Sequence, residues 1–283
     1  MTKHGWVPAA AFLLPAIVAI FALRLWPAAI AVVQSLLAPH ATTFSFDNYA
    51  YLLNDPTFQG SMITTALYSL LVNPIQIGLA LTLAVLLNTR FPTSGFWRTA
   101  ILLPIAIPQS VSAVIWGIAM RPDGMINGAF AALGLPQQPL LTSPQQALAC
   151  LLVIVSWIGV GYWMTFLVAG LQEIPKNLYE AALVDGANGW QQFWHVTLPQ
   201  LRRQLTFVLV ADTVGNFLVF APVQILTRGG PRHTTNLVMF EIYTRAFQTN
   251  DVSSAQAATV ILTTIVLVVV IIQFRFMGSE PRK

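Results

Sequence analysis

The sequence predicts an all-α, polytopic membrane protein with six transmembrane helices and both termini on the cytoplasmic side (N-in/C-in). Three observations lead there. Of 283 residues, 56% are hydrophobic and only 8% are charged, a balance that excludes an ordinary soluble domain. The apolar residues gather in six runs long enough, at about 1.5 Å per helical residue, to cross a hydrocarbon core of about 30 Å. Finally, Lys and Arg are distributed unevenly between the alternate loops that these runs define.

The runs lie at 9–38, 61–88, 99–120, 145–170, 204–226 and 254–276. The first is too long for a signal-peptide core and lacks a small-residue cleavage site, so it reads as a true span. With the N-terminus inside, the inner segments hold Lys3, Arg90, Arg98, Lys176, Arg202, Arg203, Arg275, Arg282 and Lys283. The outer ones hold Arg121, Arg228, Arg232 and Arg245. Nine of the 14 basic residues are thus inside and four outside, which orients the chain. Arg24 remains, within the first span. It lies too far from either end to snorkel, so it is expected to pair with a carboxylate or to line a polar path.

A net charge of +4 is too small to imply a nucleic-acid partner; membrane lipid is the expected surroundings. Cys150 is the only cysteine, which excludes an intrachain disulfide, a thiolate metal cage and a redox pair. Within its apolar run it reads as a small buried hydrophobe. The sequence has no Gly-rich phosphate loop, HExxH or GxSxG, and His4, His40, His195 and His233 are scattered among loops. No catalytic or metal site is therefore predicted, and any energy coupling must come from an ion gradient or from another subunit.

Proline interrupts several runs, at Pro15, Pro27, Pro74, Pro104, Pro108 and Pro222. Each removes a backbone donor and kinks a helix, which suits a pathway but is also common in membrane helices generally. Polar side chains inside the spans are a sharper signal, because each is costly unless it faces protein or water. Asn73 and Gln76 fall in the second run, Gln109 and Ser110 in the third, and Ser156, Trp157, Gly159, Gly161, Tyr162 and Trp163 in the fourth. Asp212 and Asn216 stand four apart in the fifth, on one helical face, with Gln224 two turns on. The amides fit helix-to-helix hydrogen bonding as well as a ligand site. An intramembrane carboxylate such as Asp212 is a functional candidate by default.

Between the fourth and fifth runs lies EAALVDGANGWQQFWHVTLP, Glu180 to Pro199. EAALV is a helix former, Gly186 permits the turn that ends it, and WQQFWHV restarts a helix. Composition favours an interfacial pair with Trp190 and Trp194 at the headgroups; the other reading is two short helices that enter a cleft in a cytoplasmic partner.

The run EAALVDGA, followed by Phe193 and by LP at 198–199, resembles the EAA loop of ATP-binding-cassette importer permeases. RTAILLPIAIPQSVSAVIW (98–116), DGMIN (123–127), FDNYAYLL (46–53) and LTRGGP (226–231), followed by Thr234, Thr235, Tyr243 and Phe247, resemble permeases of the maltose and sn-glycerol-3-phosphate type. The likeness covers nearly the whole chain. It implies a MetI-like permease core at 57–277 with a cytoplasmic coupling loop at 171–203, preceded by an N-terminal helix and first periplasmic loop at 1–56 and followed by a cytoplasmic tail at 278–283.

The resemblance also implies roles. Glu180, Ala181, Ala182, Asp185, Gly186 and Ala187 match the coupling loop, where the glutamate would meet an arginine of the ATPase. Counted without gaps from Glu180, the family's solute-contacting positions fall on Val155, Trp157, Ile158, Gly159, Tyr162, Asp212 and Asn216. Partners implied are a second permease, two ATP-binding-cassette ATPases that carry ATP and Mg, and an extracytoplasmic solute-binding protein. The location implied is a bacterial cytoplasmic (inner) membrane, with no cofactor in this chain and no enzymatic activity of its own.

Departures from the pattern also matter. Val155 stands where the maltose-type relative has an amide, and Asp212 where it has a hydroxyl. Phe220-Ala221-Pro222 replaces the usual Phe-Asp before the GGP loop. An ionised Asp212 would repel phosphate, so a neutral or amino sugar is predicted over a simple anionic phosphoester; glycerol-3-phosphate or a glycerophosphodiester is the alternative, through Arg24. The expected mechanism is alternating access. An ion-coupled secondary transporter is the other class, although no inverted repeat is evident.

Overall fold

The structure is a computed structural model that describes residues 6–37, 43–88 and 93–277. Lys3, His4, His40, Arg90, Arg282, Lys283 and the tail at 278–283 lie outside the described residues. Regular structure among those described is helical throughout. Helices α1 (Trp6–Ile20) and α2 (Trp26–Ser35) are followed by α3 (Asp47–Asn54), α4 (Pro56–Asn88), α5 (Ser94–Leu102), α6 (Gln109–Ala119), α7 (Met125–Ala132) and α8 (Ala147–Glu173). After α9 (Lys176–Val184), α10 (Gly189–Gln192) and α11 (Leu198–Gln200) come α12 (Arg202–Phe217), α13 (Ala221–Leu226), α14 (Val238–Tyr243) and α15 (Val252–Met277).

Five stretches among the described residues are long and apolar enough to cross a membrane: Ala11–Ser35, Pro56–Asn88, Ala147–Glu173, Arg202–Leu226 and Val252–Met277. The run expected at 99–120 is different. There α5, extended by a 3₁₀ turn at Leu103–Ala106, meets α6 at a bend of 99°. Pro104 and Pro108 each lack an N–H, and Ile107, which precedes a proline, is forced to extended geometry (φ −94°, ψ 125°). The sixth apolar run is therefore a pair of helices broken at the prolines.

Proline also explains two of the π turns. Trp26, just before Pro27, donates to Phe21 five residues back, and Leu198, just before Pro199, donates to Phe193. Widening the helix by one residue relieves the clash of the proline ring with the preceding turn. Arg24 sits in the first of these turns, Phe21–Leu25, and is exposed.

The chain divides into two compact units, Met1–Gln59 with Ile242–Thr264, and Gly60–Glu241 with Ile265–Lys283. In the first, Asn48 is buried and donates to Ser35 O at 3.0 Å and Leu37 O at 2.8 Å, which ties α3 to the free carbonyls at the end of α2. Arg245 is buried, pairs with Asp55, and has its guanidinium 5.8 Å from the Tyr51 ring centroid and 6.0 Å from that of Phe58. Asp55 also caps α4, accepting from the Thr57 N–H at 3.0 Å. Residues 11–30 are exposed along their whole length, as suits a helix whose surroundings are hydrocarbon.

The second unit is built on α8. One core joins Ala80, Ala84 and Leu87 of α4 to Trp163, Met164, Leu167 and Leu171 of α8 and to Leu201, Leu205 and Val208 at α12. Small residues set the approach distances: a Cβ at Gly161 would lie 2.4 Å from Ile101 O, and one at Gly170 would lie 2.6 Å from Gln204 Cγ. Two arginines close helix ends, Arg98 on Leu87 O of α4 and Arg202 on Met277 O of α15, the latter at 2.7 Å. Cys150 is buried beside Met120 and Ile154.

Burial acts to raise the Asp55 carboxyl, but the Thr57 N–H, Arg245 and the Phe58 N–H together hold it below its ordinary value of 3.8. A depressed folded-state value contributes stability that is present above 3.8 and is lost as pH falls through the lower value. Asp55→Asn should therefore melt below wild type at neutral pH, with the gap closing in thermal melts below pH 3.8.

Candidate functional site

Residues 155, 158, 159 and 162 follow the i, i+3, i+4, i+7 spacing of one helical face of α8, and 212, 215 and 216 repeat its start on α12. The two faces meet. Together with Gln76 of α4 and Gln109 of α6, they line a cavity of about 260 Å³ that contains Val155, Ile158, Gly159, Tyr162, Trp163, Asp212, Gly215, Asn216 and Val219. Asp212 and Asn216 are each only 3% exposed. No Lys, Arg or His is among the described residues that line it.

Asp212 Oδ1 accepts from Trp163 Nε1 at 2.6 Å. The hydrogen-bond network orients the Gln76 amide with its nitrogen 2.6 Å from the same oxygen and its oxygen 3.3 Å from the Ser156 N–H. Gln76 reaches that position across Gly159, where a Cβ would lie 2.8–2.9 Å from the amide atoms. One layer deeper, Asn73 Nδ2 donates to Ser69 Oγ (3.0 Å) and Thr213 Oγ1 (2.9 Å), and Asn73 Oδ1 accepts from Asn216 Nδ2 at 2.8 Å. Thr213 Oγ1 also accepts from Gln273 Nε2 of α15 at 2.8 Å. Three spans are thus joined by amide and hydroxyl groups, each with a partner within the unit.

Six of the seven positions singled out in the spans come together here, and Trp157 does not. It stands two residues, about 200°, from Val155 on the helix. It lines a separate apolar groove of about 490 Å³ with Pro104, Ser156 and Trp116, packed edge-to-face on Trp116 at 5.5 Å. Gln224, expected on the Asp212 face, lies on α13 beyond the break after Phe217. Trp163, Gln76 and Gln109 were absent from the positions implied by resemblance. An indole N–H at mid-span requires an acceptor, and a buried carboxylate requires donors, so pairing these needs was the available signal.

In the loop after α8, α9 ends in a Schellman turn. Gly186 has φ +80°, its N–H reaches Leu183 O at 3.0 Å, and the Ala187 N–H reaches Ala182 O at 2.9 Å. A capping box starts α10, with Asn188 Oδ1 accepting from Gln191 N–H (2.9 Å) and Gln191 Oε1 from Asn188 N–H (2.8 Å). Glu180, Ala181, Asp185 and Gly186 are exposed, as are Leu183 (62%) and Val184 (88%). Ala182, Asp185, Gly186 and Ala187 line a hollow of about 250 Å³ together with His195. Trp190 and Trp194 pack on each other at 5.7 Å, with Trp190 70% exposed.

In the loop that follows α13, Gly229 has φ +78°, and Thr235 Oγ1 lies 2.6 Å from Gly230 O and 2.7 Å from Thr227 Oγ1. Thr235 is fully buried, so the GGP segment is tied down from within.

Residues 76–278 match the family described as the binding-protein-dependent transport system inner membrane component. The chain belongs to that family. As such a component it is an inner-membrane permease, not an enzyme. The permease is 33% identical over 278 residues to the sn-glycerol-3-phosphate transport system permease protein UgpA of Brucella abortus biovar 1 (strain 9-941), covering 95% of this chain and 94% of that one. It is 31% identical over 288 residues to the lactose transport system permease protein LacF of Rhizobium radiobacter, covering 99% and 95%. A bacterial ABC transporter involved in the import of the acidic polysaccharide alginate contains a chain of the same fold, with a TM-score of 0.88 at 23% identity over 99% of the permease and 98% of that chain.

Thr213 is the shared acceptor of the deeper network, so Thr213→Val orphans the buried Asn73 donor, at about 1–3 kcal/mol, and a half-buried Gln273 donor, at less. We expect a lower melting temperature for that variant in detergent, and one close to wild type for Thr213→Ser.

Proposed function

We propose that the permease forms half of a translocation pathway for a sugar or sugar-like solute, working with a second permease, two ATPase subunits and an extracytoplasmic solute-binding protein. The observation that carries the solute class is the cavity at Asp212. A buried carboxylate, amides and aromatic rings surround it, and no cationic side chain is among the described lining residues. Hydroxyl groups donate to carboxylate and amide oxygens, and aromatic rings pack on the apolar faces of sugars. With Asp212 ionised, a phosphate there would meet a like charge without a counter-ion.

In this reading the N-in/C-in topology places 171–203 in the cytoplasm. The exposed end of α9 enters a cleft of the ATPase, with Glu180 forming a charge-assisted contact and Gly186 and Ala187 shaping the turn. ATP and Mg, bound in the ATPases, close those subunits. The motion of α9 through Ala181, Ala182 and Asp185 then opens the cavity formed by Val155, Ile158, Gly159, Tyr162, Asp212 and Asn216 to the outside, and hydrolysis resets it. Trp157 acts from the neighbouring groove. A second reading, glycerol-3-phosphate or a glycerophosphodiester, is favoured by the name of the relative above and would require a cation such as Arg24 at the phosphate.

Two experiments test the proposal. Gly186→Pro cannot adopt φ +80°, so it should abolish co-purification of the ATPases, and Glu180→Ala should weaken it about tenfold, as for loss of one charge-assisted hydrogen bond. Gradient-driven uptake by the permease alone would refute the importer. In reconstituted transporter, Asp212→Asn should raise uptake of sn-glycerol-3-phosphate relative to lactose by about tenfold. An unchanged ratio removes Asp212 from the pathway.

A further inference from the structure

We propose that Trp163 and Gln76 are positioning residues that set the solute selectivity of Asp212, turning one carboxylate oxygen to the protein and leaving the other to accept from the solute. The proposal rests on the reading of this cavity as the solute pathway and goes beyond the positions that resemblance supplies. Both donations fall on one atom, Oδ1, from Trp163 Nε1 at 2.6 Å and from the Gln76 amide nitrogen at 2.6 Å.

The clamp is built so that neither donor is free to turn elsewhere. The indole nitrogen donates and cannot accept, and Trp163 is packed against Tyr162 at 4.7 Å and Phe166 at 5.9 Å. The Gln76 amide is held at its other end by the Ser156 N–H and stands against Gly159, where a methyl group would fall within 2.9 Å of it. Gln76 is 1% exposed, so water does not compete for its amide. The Asn216 amide nitrogen donates to Asn73 at 2.8 Å, and Asn216 is a further hydrogen-bond partner of the Asp212 carboxylate.

The Trp163, Gln76 and Asn216 donors are thus directed at protein acceptors, and the remaining polar lining residues, Tyr162 and Gln109, which can donate as well as accept, are uncharged. Such a cavity selects a solute rich in donors, a polyol or one bearing an ammonium group, and rejects anions. The selectivity belongs to Asp212 as held by α8 and α4 together. A carboxylate free to rotate would offer either oxygen and discriminate less.

The test uses the complete transporter, with both permeases, ATPases and binding protein, in proteoliposomes. Dicyclohexylcarbodiimide, an apolar carboxyl reagent, probes Asp212 without reference to any solute, and peptide mass spectrometry reads the adduct. Trp163→Phe keeps the ring and loses the N–H, and Gly159→Ala displaces Gln76 sterically. Each should label Asp212 about tenfold faster than wild type, the loss of one hydrogen bond to a charged group. Gly78→Ala, where nothing lies within 4 Å of the added carbon, should label at the wild-type rate. In uptake, Trp163→Phe should raise the ratio of sn-glycerol-3-phosphate to lactose in the direction of Asp212→Asn, with ATPase activity retained. Wild-type labelling in both Trp163→Phe and Gly159→Ala, or equal loss of uptake of both solutes, would overturn the proposal. A wild-type transporter without ATP-dependent uptake would instead sink the importer reading, while the labelling rates would still decide the clamp.

Discussion

A carboxylate placed in the middle of a membrane span must find donors inside the protein, and the architecture around Asp212 follows from that need. Lipid offers none, and an unpaired polar group there costs several kcal/mol, about the margin by which a domain is folded. Trp163 and Gln76 meet the demand on one oxygen. Their approach in turn requires a residue without a side chain at Gly159. Asn216, one turn on from Asp212, is held by Asn73, which leads to Thr213 and so to Gln273 on another helix. The Asp212 carboxylate and the Asn73–Thr213 network beside it thereby tie α4, α8 and α12 together around one cavity and join α15 at Gln273.

The same constraint acts on the backbone. Each proline in a span frees a carbonyl, and the chain answers in different ways according to spacing. One proline is absorbed by a π turn, as at Pro27, where Trp26 reaches five residues back. Two prolines four residues apart, Pro104 and Pro108, are not absorbed, and the helix turns through 99° between them. The ends of helices obey the rule as well. Arg98 and Arg202, counted as charges that orient the chain, each place a guanidinium on the terminal carbonyls of another helix. Each thus closes a helix end that its own helix could not satisfy.

The loop at 171–203 is subject to the opposite regime. Its apolar side chains, Leu183 and Val184 foremost, are left exposed, while its backbone is fully specified by a Schellman turn and a capping box. A rigid backbone that carries unburied apolar side chains is what a docking surface requires, because little conformational entropy remains to be lost on binding. The cavity and the loop therefore differ in kind: polar groups are satisfied internally in one, and apolar side chains are exposed on a fixed backbone in the other.

Composition and hydropathy determined the helical class and the location of each long apolar helix to within a few residues, because chain length against bilayer thickness leaves few alternatives. Local chemistry was equally legible: Gly186 as the left-handed position and the helix that restarts after Asn188 depend only on near neighbours in sequence. The intramembrane polar residues could be named but not connected. That Trp163 rather than Trp157 faces Asp212, that Gln76 crosses Gly159 to reach it, and that Thr213 links Asn73 to Gln273 are matters of helix rotation and packing between residues as much as 140 positions apart. Helical periodicity states which residues share a face, but only the packing of α4, α8, α12 and α15 decides which faces meet.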